Sequence, residues 1–134
     1  MKQLDDKTLV AGQIRPEQVA EIAGSGVTAI INNRPDGEEP GQPSGAEIAE
    51  AAAAAGIAYR HIPIAGGFNM DDVMAMADAL EASDGTTLAF CKSGTRSTFL
   101  WALARSERGA DREALIARAA AAGYDLTPIA AYLN

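Results

Sequence analysis

Residues 86–97 read T-T-L-A-F-C-K-S-G-T-R-S. Thr86 to Phe90 reads as a β-strand, and it runs straight into Cys91, the single cysteine of the chain. A polar stretch with one glycine follows, and a helix is expected from about Thr98 to Arg108. A strand, a short loop and a helix in that order place Cys91 beyond the carboxyl end of a strand. Ligands of open α/β sheets bind at such strand ends.

Upstream, the chain keeps alternating between β-like and helical stretches. Leu9-Val10-Ala11 reads as a first strand, and Pro16 opens a helix through Ala23 that Gly24 and Gly26 end. Val27-Thr28-Ala29-Ile30-Ile31 is β-branched and nearly all apolar, as a strand covered on both faces would be. Residues 32–43, NNRPDGEEPGQP, form a polar loop. Ser44 with Glu47 makes a capping box for an alanine-rich helix through Ala55. Tyr59 to Ile64 reads as a strand, and Asn69 caps a helix from Met70 to Ala82. Helical stretches Asp111 to Ala122 and Thr127 to Leu133 close the chain. The expected fold class is α/β: three layers, with a mostly parallel central sheet of about four to five strands flanked by helices. No linker or repeat divides the chain, so residues 1–134 are expected to form one domain.

Composition narrows the function classes. The chain is 48% hydrophobic, enough for a core without staples. One cysteine makes no internal disulfide, so a reducing, cytoplasmic setting is expected. The N-terminal residues carry no apolar run of signal-peptide length, and no stretch is long and apolar enough for a membrane span. A formal net charge of −7 argues against nucleic acid as a partner. It also requires that an anionic substrate be held by a local positive site. No cluster of His and Cys suggests a metal, and no glycine fingerprint suggests a dinucleotide, so no cofactor is expected.

Cys91 to Ser97 can build such a positive site. The backbone N–H groups of Lys92, Ser93, Gly94 and Thr95 can turn inward as an anion nest, and the helix N-terminus adds partial positive charge. Gly94 permits backbone angles that other residues resist. Arg96 offers a planar fork for two oxygens. These groups together favour a thiolate at Cys91 and would stabilise an oxyanion. Ser97 is placed to donate to the sulfur or to assist its departure. Arg34 ends the second strand on the same sheet edge and adds positive charge; its alternative is a loop arginine paired with Asp36 or Glu38. The bland alternative for Cys91 is a core residue that ends a buried strand. His61 lies mid-strand and reads as structural. Trp101, Phe99 and Leu103 read as core.

The segment Cys-x4-Arg-Ser resembles the active loop of the protein tyrosine phosphatase superfamily, and also that of rhodaneses. Gly12-Gln13-Ile14, Ile30-Ile31-Asn32-Asn33-Arg34-Pro35-Asp36-Gly37-Glu38, His61-Ile62-Pro63-Ile64 and Cys91–Ser97 together resemble the phosphatase-like domain of beta-lactamase hydrolase-like (Blh) proteins. The likeness runs over about residues 3–125. It implies a dual-specificity-phosphatase-like fold, Cys91 as nucleophile and Arg96 as oxyanion binder. Some members are fused to a persulfide dioxygenase and described as sulfurtransferases, so a link to such an enzyme is also implied.

Two features depart from the phosphatase pattern. Four residues rather than five separate Cys91 from Arg96, the loop length of single-domain rhodaneses, and Phe90 stands where a histidine is usual. The general acid of dual-specificity phosphatases would fall at Gly66; the nearest carboxylates are Asp71 and Asp72, which also suit the first turn of a helix, and Asp36 is a further acid within the long loop. Three readings follow. The first is a cysteine-dependent phosphatase that forms a phosphocysteine on Cys91, with Asp71 or Asp72 as acid. The second is a sulfurtransferase that carries a persulfide on Cys91, with thiosulfate or glutathione persulfide as donor. The third is a module that binds an anion or partner without turnover. The chain-wide likeness favours the first. In each enzymatic case the expected partner is a small anion, a phosphate ester or a sulfane-sulfur donor.

Overall fold

β5 (Thr86–Phe90) is the middle strand of a five-stranded sheet. The computed structural model describes residues 1–134. The other strands are β1 (Lys2–Asp5), β2 (Thr8–Ala11), β3 (Val27–Asn32) and β4 (Ala58–His61). Their order is β1-β2-β5-β3-β4, and only the β1–β2 pair is antiparallel. The helices are α1 (Val19–Gly24), α2 (Gly45–Ala55), α3 (Met70–Ala82), α4 (Thr95–Glu107) and α5 (Arg112–Ala121). Short 3-10 turns span Pro16–Gln18 and Thr127–Tyr132.

The period-2 alternation of the central strands sorts their side chains into two cores. Ile30, Leu88 and Phe90 pack with Val19, Ile22, Ile48 and Ala52 under α1 and α2. Ile31, Ala89 and Val10 face the other way, against Met76, Leu80, Leu100, Trp101 and Leu115 of α3, α4 and α5. Three layers result, with β5 covered on both faces. Trp101 needs a partner for its indole N–H when buried. It donates to Asp5 Oδ2 at 2.7 Å, and Arg105 Nε reaches the same oxygen at 3.2 Å. That pair ties α4 to the edge hairpin.

Local signals hold at two helix starts. Ser44 and Glu47 form the capping box of α2, and Asn69 Oδ1 accepts from Asp72 N–H at 2.8 Å to cap α3. Elsewhere the structure differs. β1 was not anticipated: it is a polar edge strand whose only fully buried side chain is Leu4. The helix opened by Pro16 splits into a 3-10 turn and α1, and the C-terminal stretch after Thr127 is 3-10 rather than α. The strand expected through Ile64 ends at His61, two residues before Pro63, which has no N–H for a ladder. No helix is long and apolar enough to cross a membrane.

Candidate active site

Strands β2, β5, β3 and β4 run parallel and end at Ala11, Phe90, Asn32 and His61, so the segments after them meet at one sheet edge. Cys91 leaves β5 still held from both sides. Its N–H donates to Ala11 O at 3.4 Å, and Asn33 N–H donates to Phe90 O at 2.8 Å. Gln13 N–H donates to Lys92 O at 3.2 Å. Gly12 permits that approach, because a β-carbon there would lie 2.9 Å from Lys92 O.

Gly94 then turns the chain. Its φ of +91° lies in the left-handed region, and its N–H donates to Cys91 Sγ at 3.1 Å. The helix starts at once, at Thr95 instead of about Thr98. The correction has a physical cause: one glycine at positive φ completes the turn, and Thr98 N–H already bonds Gly94 O at 2.9 Å. The loop proper is thus Lys92, Ser93 and Gly94, while Thr95, Arg96 and Ser97 are the first helical residues. Their amides have no carbonyl partner within the helix, and they carry the positive end of the α4 dipole. Cys91 is fully buried, at 0% exposure.

Neighbouring side chains brace this turn. Ser97 Oγ donates to Asn33 Oδ1 at 2.8 Å, and Asn33 Nδ2 donates to Ile62 O at 3.0 Å. The Ser97 hydroxyl proton therefore points at Asn33 and not at the sulfur. Ser93 Oγ donates to Thr95 Oγ1 at 3.1 Å, and Ser93 O accepts from the Tyr124 hydroxyl at 3.0 Å. Burial first, and then electrostatic coupling to nearby Cys91, push the Tyr124 hydroxyl pKa up.

Three cations gather above the loop. Arg34 is only 3% exposed, and each of its three guanidinium nitrogens donates: Nε to Glu38 Oε1 at 2.8 Å, Nη1 to Gln13 Oε1 at 3.0 Å, and Nη2 to Glu39 Oε1 at 2.7 Å. Arg96 grips Glu38 with two bonds, Nη1 to Oε2 at 2.7 Å and Nη2 to Oε1 at 2.9 Å, and Nη1 also donates to Ile64 O at 2.9 Å. Lys92 Nζ lies 3.2 Å from Glu39 Oε1. Arg34, Glu38, Glu39, Lys92 and Arg96 line a cleft of about 320 Å³ with no apolar wall. Hydrogen bonds from Arg96 and then Arg34 hold the Glu38 carboxyl at about 2. Lys92, followed by Arg34, lowers that of Glu39, and Glu38 raises the Arg96 guanidinium in turn.

The expected cluster of Cys91, Lys92, Ser93, Gly94, Thr95 and Arg96 is brought together, and Arg34 joins it from the next strand. Asp36 instead caps α2, accepting from Gly45 N–H at 2.7 Å. His61 holds Arg34 in place, its Nε2 2.8 Å from Arg34 O. Asp71 and Asp72 lie in the first turn of α3, and their carboxylates take part in no hydrogen bond or ion pair. Sequence reasoning assigned no role to Glu39, Gln13, Asn33 or Tyr124, and took Glu38 only as a possible partner of Arg34. The phrases Gly12-Gln13 and Asn33-Arg34 through Glu38 did carry the signal, as polar residues directly after strands that flank β5. No group of three or more His, Cys, Asp or Glu side chains is placed to hold a metal ion.

The family described as "Beta-lactamase hydrolase-like protein, phosphatase-like domain" matches residues 1–108. The beta-lactamase hydrolase-like protein of Xylella fastidiosa strain Temecula1 is 36% identical over 125 residues, which is 92% of this chain and 29% of that protein. The chain thus spans less than a third of the length of the curated relatives it matches. A crystallised candidate phosphatase from Neisseria meningitidis Z2491 superposes with a TM-score of 0.84 at 31% identity, covering 99% of this chain and 95% of that one. Tk-PTP in its active form shares the fold, with a TM-score of 0.73 at 20% identity over 97% of this chain and 90% of that one. The fold is that of the dual-specificity and tyrosine phosphatases.

Proposed function

The chain belongs to the family of phosphatase-like domains of beta-lactamase hydrolase-like proteins, and from that premise we propose that it hydrolyses phosphate esters through a phosphocysteine on Cys91. One observation carries the reading. Arg96 presents its guanidinium to a two-oxygen anion beside the nucleophilic loop, and the carboxylate of Glu38 already fills that seat. A phosphoryl group offers oxygens of the same charge and spacing to the same fork.

Cys91 Sγ attacks phosphorus from the floor of the loop. The S–P bond forms as the bond to the ester oxygen breaks in line, and that oxygen departs with the electron pair. Gly94 N–H, already on the sulfur at 3.1 Å, stabilises negative charge there. Amides of Lys92 to Arg96, with the Arg96 guanidinium, hold the three non-bridging oxygens as their charge shifts. Asp71 or Asp72 supplies the leaving oxygen's proton. Water then attacks phosphorus and returns a proton to that carboxylate, the S–P bond breaks with its electron pair left on Cys91 Sγ, and inorganic phosphate leaves. Arg34 and Lys92 add positive charge at the mouth, while Ser97 and Asn33 keep the turn in shape.

The spacing of four residues between Cys91 and Arg96 favours a second reading, sulfur transfer. There Cys91 attacks the outer sulfur of thiosulfate, an S–S bond forms, and sulfite leaves with the electron pair. An acceptor such as cyanide then takes the sulfur, and no acid is needed. Paired assays separate the two. Aryl phosphate hydrolysis that vanishes in Cys91→Ser, with a phosphorylated Cys91 peptide after acid quench, supports the phosphatase. A persulfide on Cys91 after thiosulfate, with no phosphate release, supports sulfur transfer and overturns the first reading.

A further inference from the structure

Glu38 and Glu39 sit inside the cationic cleft on the segment Gly37-Glu38-Glu39-Pro40-Gly41. Both bounding glycines are left-handed, Gly37 at φ +73° and Gly41 at φ +79°, and nothing lies within 4 Å of where their β-carbons would be. The carboxylate pair is therefore mounted between two permissive turning points in open space. Glu38 has a side chain 29% exposed, so it has a solvent side to leave by, whereas the Arg34 side chain is 4% exposed and stays.

Building on the phosphatase reading, we propose that Glu38 is a specificity-determining residue: its carboxylate, which leaves together with that of Glu39 on the same segment, is an internal occupant of the Arg96 seat, which a doubly charged oxyanion such as a phosphate monoester displaces and a singly charged one does not. Charge balance leads to this assignment. Arg34, Lys92 and Arg96 face two carboxylates, which together carry two negative charges. Exchange of that pair for a phosphate monoester dianion leaves the charge of the cleft unaltered. Exchange for a monoanion, such as a phosphodiester, leaves a cation without a partner beside a buried guanidinium, where water compensates poorly. The geometry agrees, because Glu38 Oε1 bridges Arg34 and Arg96, as one oxygen of a phosphoryl group can. Arg96 does not depend on Glu38 for its pose, since its bond to Ile64 O at 2.9 Å remains when the carboxylate leaves. Glu38 stays ionised down to about pH 2, so the internal competitor is present throughout the working range of such an enzyme.

The test is calorimetric titration of the whole chain with inorganic phosphate, at a pH where it is a dianion, and with dimethyl phosphate, a monoanion. Wild type, Glu38→Gln and Glu38→Ala are compared. Removing one charge-assisted pair from the competition should tighten phosphate binding about tenfold in both variants. Dimethyl phosphate should bind the variants and not the wild type. Phosphate affinity equal to wild type, or weaker, in both variants overturns the proposal and leaves the phosphatase reading standing. Absence of phosphate binding in all three proteins overturns both. A readout on wild type alone is independent of how the variants fold. The Gly37 and Gly41 amide resonances should shift as phosphate saturates the site, and their staying fixed at saturation overturns the displacement.

Discussion

The hydroxyl of Tyr124 occupies the space that a β-carbon on Gly94 would need, and it bonds Ser93 O from there. Two constraints of different origin thus fall on one residue. The backbone demands positive φ, and the far wall of the site demands the absence of a side chain. Gly94→Ala is expected to cost about 2 kcal/mol or more in stability, from left-handed strain and overlap together. It should abolish turnover, because the amide that meets Cys91 Sγ must move. Adding Tyr124→Phe should recover part of the stability, since it removes the hydroxyl overlap and leaves the ring carbon at 3.0 Å, but little activity, since the strain remains. Thermal melts and aryl phosphate assays on wild type and the two variants check this.

The hydroxyl of Ser97 donates to Asn33 Oδ1, and both residues are buried. Ser97→Ala leaves that oxygen without a donor in a site closed to water. The expected loss is about 1–3 kcal/mol, read from urea unfolding. Asn33→Ala in the Ser97→Ala background should cost less than it does in wild type, because the partner is already gone.

Asp5 links β1 to α4 through Trp101 and Arg105. Burial alone would raise its pKa, but bonds from Trp101, Lys7 and Thr8, with the Arg105 charge, outweigh burial and lower it below 3.8. A carboxyl lowered by folding contributes stability that is full above its unfolded value. That contribution is lost as pH falls through the lower folded value. The melting temperature of wild type should therefore drop in the window below pH 3.8. Asp5→Asn should be less stable at neutral pH and show a shallower drop over that window.

Asp71 and Asp72 can be separated by leaving-group dependence. If one is the acid, its Asn variant should lose about a hundredfold or more in kcat with a poor leaving group such as an alkyl alcohol, and far less with a nitrophenol. The other variant should leave that ratio unchanged. Equal behaviour of both variants and wild type on both substrates would exclude both residues from the role.

Much of this architecture is legible because its signals are local. Ser44 with Glu47, and Asn69 with the amide of Asp72, are contacts three residues apart, and each marks a helix start correctly. The apolar alternation of Ile30-Ile31 and Leu88-Ala89-Phe90 is equally short-range and identifies the covered strands. The Cys91–Arg96 segment announces an anion loop by residue type alone. Its backbone path is not legible there, since the left-handed angle at Gly94 starts α4 early and no periodicity records a single dihedral. The contacts of Glu38 with Arg96 and of Ser97 with Asn33 span 58 and 64 residues. They depend on the crossover order that makes β3 a neighbour of β5, and only the sheet topology reveals that order.

Cys91 continues a strand that is bonded to neighbours on both flanks, whereas Glu38 and Glu39 ride on a segment bounded by left-handed glycines with open space where a β-carbon would stand. In hydrogen-exchange terms these belong to opposite ends of the protection scale. The amides of β5 should exchange only with global unfolding, while those of Gly37, Glu38 and Gly41 should exchange faster. Such a gradient of protection would let the carboxylate cover leave the mouth without loosening the floor that anchors the sulfur.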